Sequence, residues 1–220
     1  MQKEPANGLG ISRVHDYLTT IYRLEEALGI AKTTEISKEL GVSPATVSKI
    51  IKKLEERNLV KRVKYKYIKL TEEGRKIAEQ IIRKHRISEV FLVNILGFNE
   101  IDAHIYAHYL EHLPDIIIEK MYNITGKPGK CPHGNPIPGI IQLANKLVNL
   151  SNTKKDQKCT IHQIAGEFLE ILRYLYNLGI KIGDTTRVLE HTNREVILEI
   201  NETLHVKIPI YIARYIFVKC

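Results

Sequence analysis

The chain has 220 residues, of which 44% are hydrophobic, with 33 Lys+Arg against 25 Asp+Glu and a formal net charge of +8. That composition is of an ordinary soluble globular protein rather than a disordered one, at a length that holds one large domain or two to three small ones. It excludes a bilayer-spanning helix, since no apolar run reaches the roughly 20 residues needed, and the positive surplus points to a polyanionic partner.

In chain order, "MQKEPANGLG" is polar and lacks the apolar core of a secretory leader, so the chain is expected in the cytoplasm. "SRVHDYLTTIYRLEEALG" predicts a helix from an N-cap at Ser12 to a stop at Gly29. "TTEISKELG" predicts a short second helix. "VSPATVSKIIKKLEERN" predicts a third, with Ser43 as N-cap, Pro44 at the first helical position and an apolar stripe of Val47, Ile50, Ile51 and Leu54. Two short helices joined through "GVS" form a helix-turn-helix pattern, whose second helix enters the major groove. "LVKRVKYKYIKL" changes period and predicts two strands around a tip near Tyr65–Lys66. Lys61, Arg62, Lys64, Lys66 and Lys69 line this wing, suited to phosphates. A basic hairpin or a helix pair alone also fits a solvated surface and a packed core. Their ordered combination points to double-stranded DNA. On the third helix Ser43, Ala45, Thr46, Ser48 and Lys49 face outward. Ala45 or Thr46 suits thymine methyls, and Lys49 a guanine edge or a phosphate.

"EEGRKIAEQIIRKHRISEVFLVNILG" predicts an unbroken helix with more apolar positions than one face needs, which suggests a second subunit against it. A further helix is expected from Ile101 to about Met121, bent near Pro114. "NITGKPGKCPHGNPIPG" is a loop, "IIQLANKLVNL" a helix of about ten residues, and "SNTKKDQK" a polar linker at a domain boundary. After a helix-like "AGEFLEILRYLYNLG", alternating residues with turns at "IGD", "HTNRE" and "NET" predict a β-barrel of about five strands.

The chemistry concentrates in "HIYAHYLEHL". With His104 at zero on a helix, His108 falls at about 40°, Glu111 at about −20° and His112 at about 80°. All four share one arc, and imidazole with carboxylate is a donor set for a divalent transition metal. One turn apart in "RKHRISEVF", His85 and Glu89 share a face with Ile81 and Leu92 that draws them inward. Metal ligation and a plain Glu–His hydrogen-bonded pair both fit that spacing. Enzyme signatures are missing: there is no HExxH, no phosphate-binding glycine loop and no nucleophile elbow. Cys131, Cys159 and Cys220 are odd in number and widely spaced, which fits a reducing compartment rather than a disulfide framework. A zinc site from Cys131, His133, Cys159 and His162 is conceivable, although its spacings span the apparent domain boundary.

The ordered set "SPATVSKIIKKLEERNLV", "LTEEG", "RKHRISEVFL", "HIYAHYLEHL" and "CPHGNPIPG" resembles the diphtheria-toxin-repressor and manganese-transport-regulator family of metal-activated repressors. The tail "NLGIKIGDTTRVLE … KIPIYIARYIFV" resembles the SH3-like (FeoA-like) domain of longer members. The resemblance implies a primary metal site of Asp16, His108, Glu111 and His112 and an ancillary site of His85, Glu89 and His104. Ligands from the SH3-like domain are also implied. By spacing Gln163 is one candidate; the other matched position is Gly166, with Glu167 beside it able to substitute. Asp16 and His108 stand where iron-responsive members carry Met and Cys. Manganese-responsive members carry Asp first but often a Glu three residues on, where this chain has Thr19. That argues against a closely spaced two-manganese centre there.

The expected fold is mainly α with small β parts: a winged helix-turn-helix over 1–74, a helical metal-binding and dimerisation domain over 75–150, and an SH3-like barrel over 151–220. The expected function is a non-enzymatic, metal-dependent repressor of metal homeostasis. It acts as a homodimer on a palindromic operator, with no membrane and no organic substrate. Oxygen and nitrogen ligands suit Mn²⁺ or Fe²⁺, while the affinity order favours Zn²⁺, Co²⁺ or Ni²⁺ in vitro. A metal held jointly by Asp16 and the later helix would order the DNA-binding domain against the dimer domain, setting two recognition helices roughly 34 Å apart. The alternatives are a metal storage or delivery protein, and a winged-helix regulator sensing an organic ligand.

Overall fold

Helix α1 (Ile11–Leu28) opens the computed structural model, which describes residues 11–63, 67–140 and 146–220. The N-cap expected at Ser12 concerns a side chain outside the described residues. α1 buries Leu18, Ile21 and Leu24 along one stripe. α2 (Thr33–Leu40) stops at Gly41, whose left-handed φ of 62° costs glycine no Cβ clash. α3 (Pro44–Glu56) starts as the sequence predicts, with the Thr46 amide donating to Ser43 Oγ at 3.1 Å. Burial of Val47, Ile50, Ile51 and Leu54 leaves Ala45, Thr46, Ser48 and Lys49 exposed. The core stripe and the free polar face of α3 therefore come from one periodicity.

The wing is antiparallel, β1 (Val60–Val63) against β2 (Tyr67–Leu70), with Val60 opposite Leu70. The expected tip, with Lys64 and Lys66, lies outside the described residues. Arg62, one of the expected wing cations, is engaged within its own unit. Its Nε lies 3.2 Å from Glu55 Oε2, and its guanidinium donates to the Ser48 carbonyl at 3.0 Å.

The long helix α4 (Glu72–Asn94) follows, and the chain divides into two compact units, one ending at Arg83 and the other covering Lys84–Cys220. In the second unit Pro114 changes the expected layout. The single helix from Ile101 to Met121 is two, α5 (Glu100–Leu110) and α6 (Asp115–Ile124). Proline lacks the amide and disfavours helical backbone at the residue before it, so Pro114 ends the run and becomes the N-cap of α6. Glu111 is the C-cap of α5 and His112 lies in the turn beyond. The arc drawn on a continuous helix therefore fails at His112. Ile87, Ile118, Met121, Tyr122 and Ile137 form one buried cluster, and Leu92, Ala103 and Ala107 another. The second half of α4 is thus held by both later helices.

The remainder is a six-stranded antiparallel sheet. Its strands are β3 (Val148–Asn149), β4 (Lys158–Ile164), β5 (Thr185–His191), β6 (Glu195–Ile200), β7 (Leu204–Pro209) and β8 (Ile216–Lys219), in the order β3-β8-β4-β5-β6-β7. Helix α7 (Leu169–Asn177) follows β4, and the short α8 (Ile210–Ala213) precedes β8. The helix expected over 140–150 is corrected at its end, where β3 pairs with β8 and a 3-10 turn follows; residues 141–145 lie outside the described residues. The sequence reading also missed β4. A register shift between Ile161 and Gln163 breaks the alternation that would have marked it. β4 and β8 are neighbours, and Cys159 and Cys220 form a disulfide across 61 positions. That corrects the expectation of unpaired cysteines. It also removes the imagined zinc set, because the Cys159 sulfur is already bonded. Among the described residues no helix is long and apolar enough to cross a membrane.

Candidate metal centre

Two helices and two loops build the centre within the second unit. His85 and Glu89, one turn apart on α4, are fully buried, and His104 on α5 is nearly so. Glu89 Oε1 lies 2.7 Å from His104 Nδ1, 3.2 Å from His85 Nε2 and 3.4 Å from His133 Nδ1. One carboxylate oxygen thus faces three imidazoles. Glu89 Oε2 and His133 Nε2, by contrast, are buried with no hydrogen-bond partner. Such atoms cost roughly 1–3 kcal/mol each when left unmade.

The loop "CPHGNPIPG" delivers Cys131 and His133 to this place. Cys131 N–H donates to the Asn135 carbonyl at 2.9 Å, and Gly134 N–H to the Cys131 carbonyl at 3.0 Å. The loop is fastened to the end of β4: Ile164 N–H donates to the His133 carbonyl, and Asn135 Nδ2 to the Ile164 carbonyl at 2.8 Å. Gly134 is required, since φ is +81° and a Cβ there would stand 2.0 Å from the His162 carbonyl oxygen. Gln163 takes part in this docking too, donating to Asn135 Oδ1 at 2.8 Å.

Glu167 arrives from the turn before α7. It is fully buried, in the left-handed conformation at φ 53°. Its Oε1 accepts from Arg86 Nε at 2.8 Å and from the Cys131 thiol at 3.0 Å. The potential ligand atoms fall into two sets, each with all members within 4.8 Å of one another: His85, His104 and His108, and Glu89, Cys131, His133 and Glu167.

Of the expected primary set, Glu111 is buried and its Oε2 lies 2.7 Å from His85 Nδ1 and 3.5 Å from His108 Nδ1. His112 Nε2 is 3.9 Å from Glu111 Oε1, and both His108 and His112 are half exposed. Asp16 belongs to the first unit and is exposed on α1. Thr19, three residues after Asp16, donates its hydroxyl to the His15 carbonyl at 3.0 Å. The role of Cys131 and His133 beside Glu89 was not read from the sequence. The Cys-x-His spacing was visible, but the partners lie 42 and 34 positions away, on α4 and before α7.

The electrostatics suit a cation. Burial alone would raise the Glu89 carboxyl, yet His133, His85 and His104 hold it well below the usual carboxylate range. Burial would lower His133, but Glu89 brings it above an ordinary imidazole. The Cys131 thiol is pushed well up, by burial first and then by Glu167 and Glu89. Burial opposes ionisation of Glu111, and the hydrogen bonds of His108 and His85 overcome it. Imidazole, carboxylate and thiol donors at this spacing fit a divalent transition metal. The two orphaned buried atoms are where such an ion would find further ligands.

Three family profiles cover the chain in order: "Iron dependent repressor, N-terminal DNA binding domain" over residues 11–68, "Iron dependent repressor, metal binding and dimerisation domain" over 71–139, and "FeoA domain" over 148–220. A diphtheria toxin repressor from Corynebacterium efficiens is 33% identical over 194 residues, covering 82% of this chain and 84% of its own length. The chain belongs to the diphtheria toxin repressor family. The iron-dependent repressor IdeR of Mycobacterium tuberculosis is 34% identical over 128 residues, which is 58% of this chain and only 56% of that protein. A solved structure of a manganese-dependent transcriptional repressor in complex with manganese superposes with a TM-score of 0.78 at 30% identity, over 93% of this chain and 98% of that one. The family has the expected fold: winged helix, helical metal-binding domain and SH3-like FeoA domain.

Proposed function

We propose that this chain is a metal-activated transcriptional repressor of metal-ion homeostasis, acting in the cytoplasm as a homodimer on a palindromic operator. The observation that carries this reading is the buried His85–Glu89–His104 constellation, with orphaned Glu89 Oε2 beside it, in a chain whose α3 keeps a polar face exposed. Core packing alone has no use for so many ionisable groups in one place. Dimerisation fits the exposed Ile95, Leu96, Tyr106, Tyr109, Ile116 and Ile124, a run of large apolar groups along one stretch of the helical segment.

By the resemblance, Asp16, His108, Glu111 and His112 are the primary ligands. His85, Glu89, His104 and Glu167 belong to ancillary binding, joined here by Cys131 and His133. Gln163, the other candidate by spacing, donates to Asn135 Oδ1 at 2.8 Å. The primary set offers oxygen and nitrogen, which suits Mn²⁺ or Fe²⁺, whereas the Cys131 thiolate favours a softer ion such as Fe²⁺ or Zn²⁺. On the DNA side, Ala45, Thr46, Ser48 and Lys49 face the groove; Lys64 and Lys66, which lie outside the described residues, are assigned to phosphates from the sequence pattern alone. Ser43 is committed mainly to capping α3.

The test is a fluorescence-anisotropy titration of operator DNA with and without Mn²⁺. Metal should tighten binding at least tenfold for the wild type, and Asp16→Ala should lose that gain while keeping basal DNA binding. Equal affinity with and without any of Mn²⁺, Fe²⁺ and Zn²⁺ would reject a metal-activated repressor.

A further inference from the structure

We propose that Glu89 is a bridging ligand, and that the buried centre holds two metal ions side by side rather than one. The inference rests on the metal-binding reading above. It concerns the buried donors; His108, the half-exposed third member of the first set, is kept for the set with Asp16.

The geometry leads there in three steps. First, the donors form two sets and not one. Ligands of a single ion, bonded at about 2.0–2.3 Å, cannot stand farther apart than roughly 4.6 Å. His85 and His104, whose nitrogens are 3.2 Å apart, have the separation of two neighbouring ligands on one ion. Cys131 Sγ lies 3.9 Å from His133 Nδ1 and 3.0 Å from Glu167 Oε1, which suits a second ion with one sulfur donor.

Second, Glu89, a member of the second set, also reaches the first. Its Oε1 touches His85 and His104 on one side and His133 on the other. If one ion took this carboxylate alone, the imidazoles of the other set would lose their shared acceptor inside a dry core, at the cost of unmet hydrogen bonds.

Third, Glu89 has an oxygen to spare. Its Oε2 is buried and has no hydrogen-bond partner, and His133 Nε2 is in the same condition. A carboxylate with one oxygen toward each ion spans the roughly 3.5–4 Å between the metals of two-metal sites. The pair carries four positive charges, set against Glu89, Glu167 and the Cys131 thiolate, with Arg86 paired to Glu167 and Glu111 one imidazole away. Bridging makes the sites interdependent, because the ion that arrives first fixes the carboxylate for the second.

Co²⁺ is the probe, since a thiolate–cobalt bond gives an intense near-ultraviolet band and two bridged high-spin ions couple magnetically. Cobalt bound to the full-length protein is counted by equilibrium dialysis and its spins by electron paramagnetic resonance. The wild type should show the thiolate band and a spin count short of the bound cobalt by two ions. Cys131→Ser should lose the band and one ion, and its spin count should rise to match the cobalt. His104→Ala should keep the band and also lose the coupling. Glu89→Gln should lose the coupling and weaken both ions. A thiolate band with spins equal to bound cobalt in the wild type overturns the bridge and leaves metal binding standing. A spin deficit that persists in Glu89→Gln overturns it as well. No bound cobalt at all would instead sink the metal-binding reading beneath it.

Discussion

His85 stands between two carboxylates, its Nδ1 2.7 Å from Glu111 Oε2 and its Nε2 3.2 Å from Glu89 Oε1. A neutral imidazole has one proton to place. When Nε2 binds a metal, that proton must sit on Nδ1, where it is donated to Glu111 and fixes the carboxylate's orientation. Loading of the buried centre is thereby coupled to a carboxylate of the proposed primary set through a single ring.

Removing that ring should therefore affect both kinds of site. His85→Ala should weaken ancillary binding by loss of a ligand and primary binding by loss of the orienting hydrogen bond, the latter by about 10–100-fold. Isothermal titration with Mn²⁺ separates the two classes. A primary affinity equal to wild type would mean that Glu111 needs no orientation from His85.

Metal binding should strengthen as pH rises. His133 is raised and the Cys131 thiol raised well above their ordinary values, so both hold protons that a metal must displace. Chelator competition at pH 6, 7 and 8 should give an apparent affinity that climbs at each step, with proton release visible as a buffer-dependent heat. The metal-free protein runs the other way at this residue. A folded imidazole held above its unfolded value contributes stability below the unfolded pKa and loses it as pH rises through the folded one. Metal-free protein should thus lose the His133 contribution above neutrality, while metal-loaded protein gains. A pH-independent affinity would mean that neither proton is displaced.

The fold was legible where local chemistry dictates it. Ser43 and Pro44 mark the start of α3, Gly41 marks the stop of α2, and alternation marks the wing. What escaped reading was non-local. The pairing of Cys159 with Cys220 depends on β8 lying beside β4, which no spacing announces. The buried centre was half legible. His85, Glu89 and His104 share predictable helix faces, whereas Cys131, His133 and Glu167 reach them only because a loop docks on the end of β4 and a left-handed turn aims a carboxylate inward. Pro114 in the sequence predicts a bend. Its consequence, that His112 leaves the helix, needed the backbone.

That docked loop makes a stability prediction. Gly134 and Gly139 both have left-handed φ, near +80°, but only Gly134 is crowded, with a Cβ position 2.0 Å from a backbone oxygen. Gly139→Ala should cost only the conformational strain, about 1 kcal/mol. Gly134→Ala must also push the loop off β4, costing about 2 kcal/mol or more and lowering Tm by roughly 4–8 °C. It should also abolish the thiolate–cobalt band, since Cys131 and His133 move with the loop. Equal melting temperatures for the two variants would show that the loop docks less tightly than its contacts imply.

Lys49 and Arg62, two cationic side chains near the exposed face of α3, should behave differently toward DNA. Lys49 is exposed on that face, so its ammonium is available to a phosphate or a guanine edge. Arg62 is committed to Glu55 and the Ser48 carbonyl, which turns its charge back onto α3. A phosphate contact releases condensed counterions, and each one adds about one unit to the slope of log affinity against log salt. If Lys49 meets a phosphate, Lys49→Ala should weaken operator binding and flatten that slope by about one. If it meets a guanine, the loss should be about 1–3 kcal/mol and confined to operators carrying that base. Arg62→Ala should leave the slope unchanged, because the removed charge was already neutralised, and should cost at most about 1 kcal/mol of stability as a partly exposed ion pair. Anisotropy titrations at four or more salt concentrations, with saturating Mn²⁺, read all three. A flattened slope for Arg62→Ala together with an unchanged one for Lys49→Ala would move the DNA-facing surface from α3 to the wing.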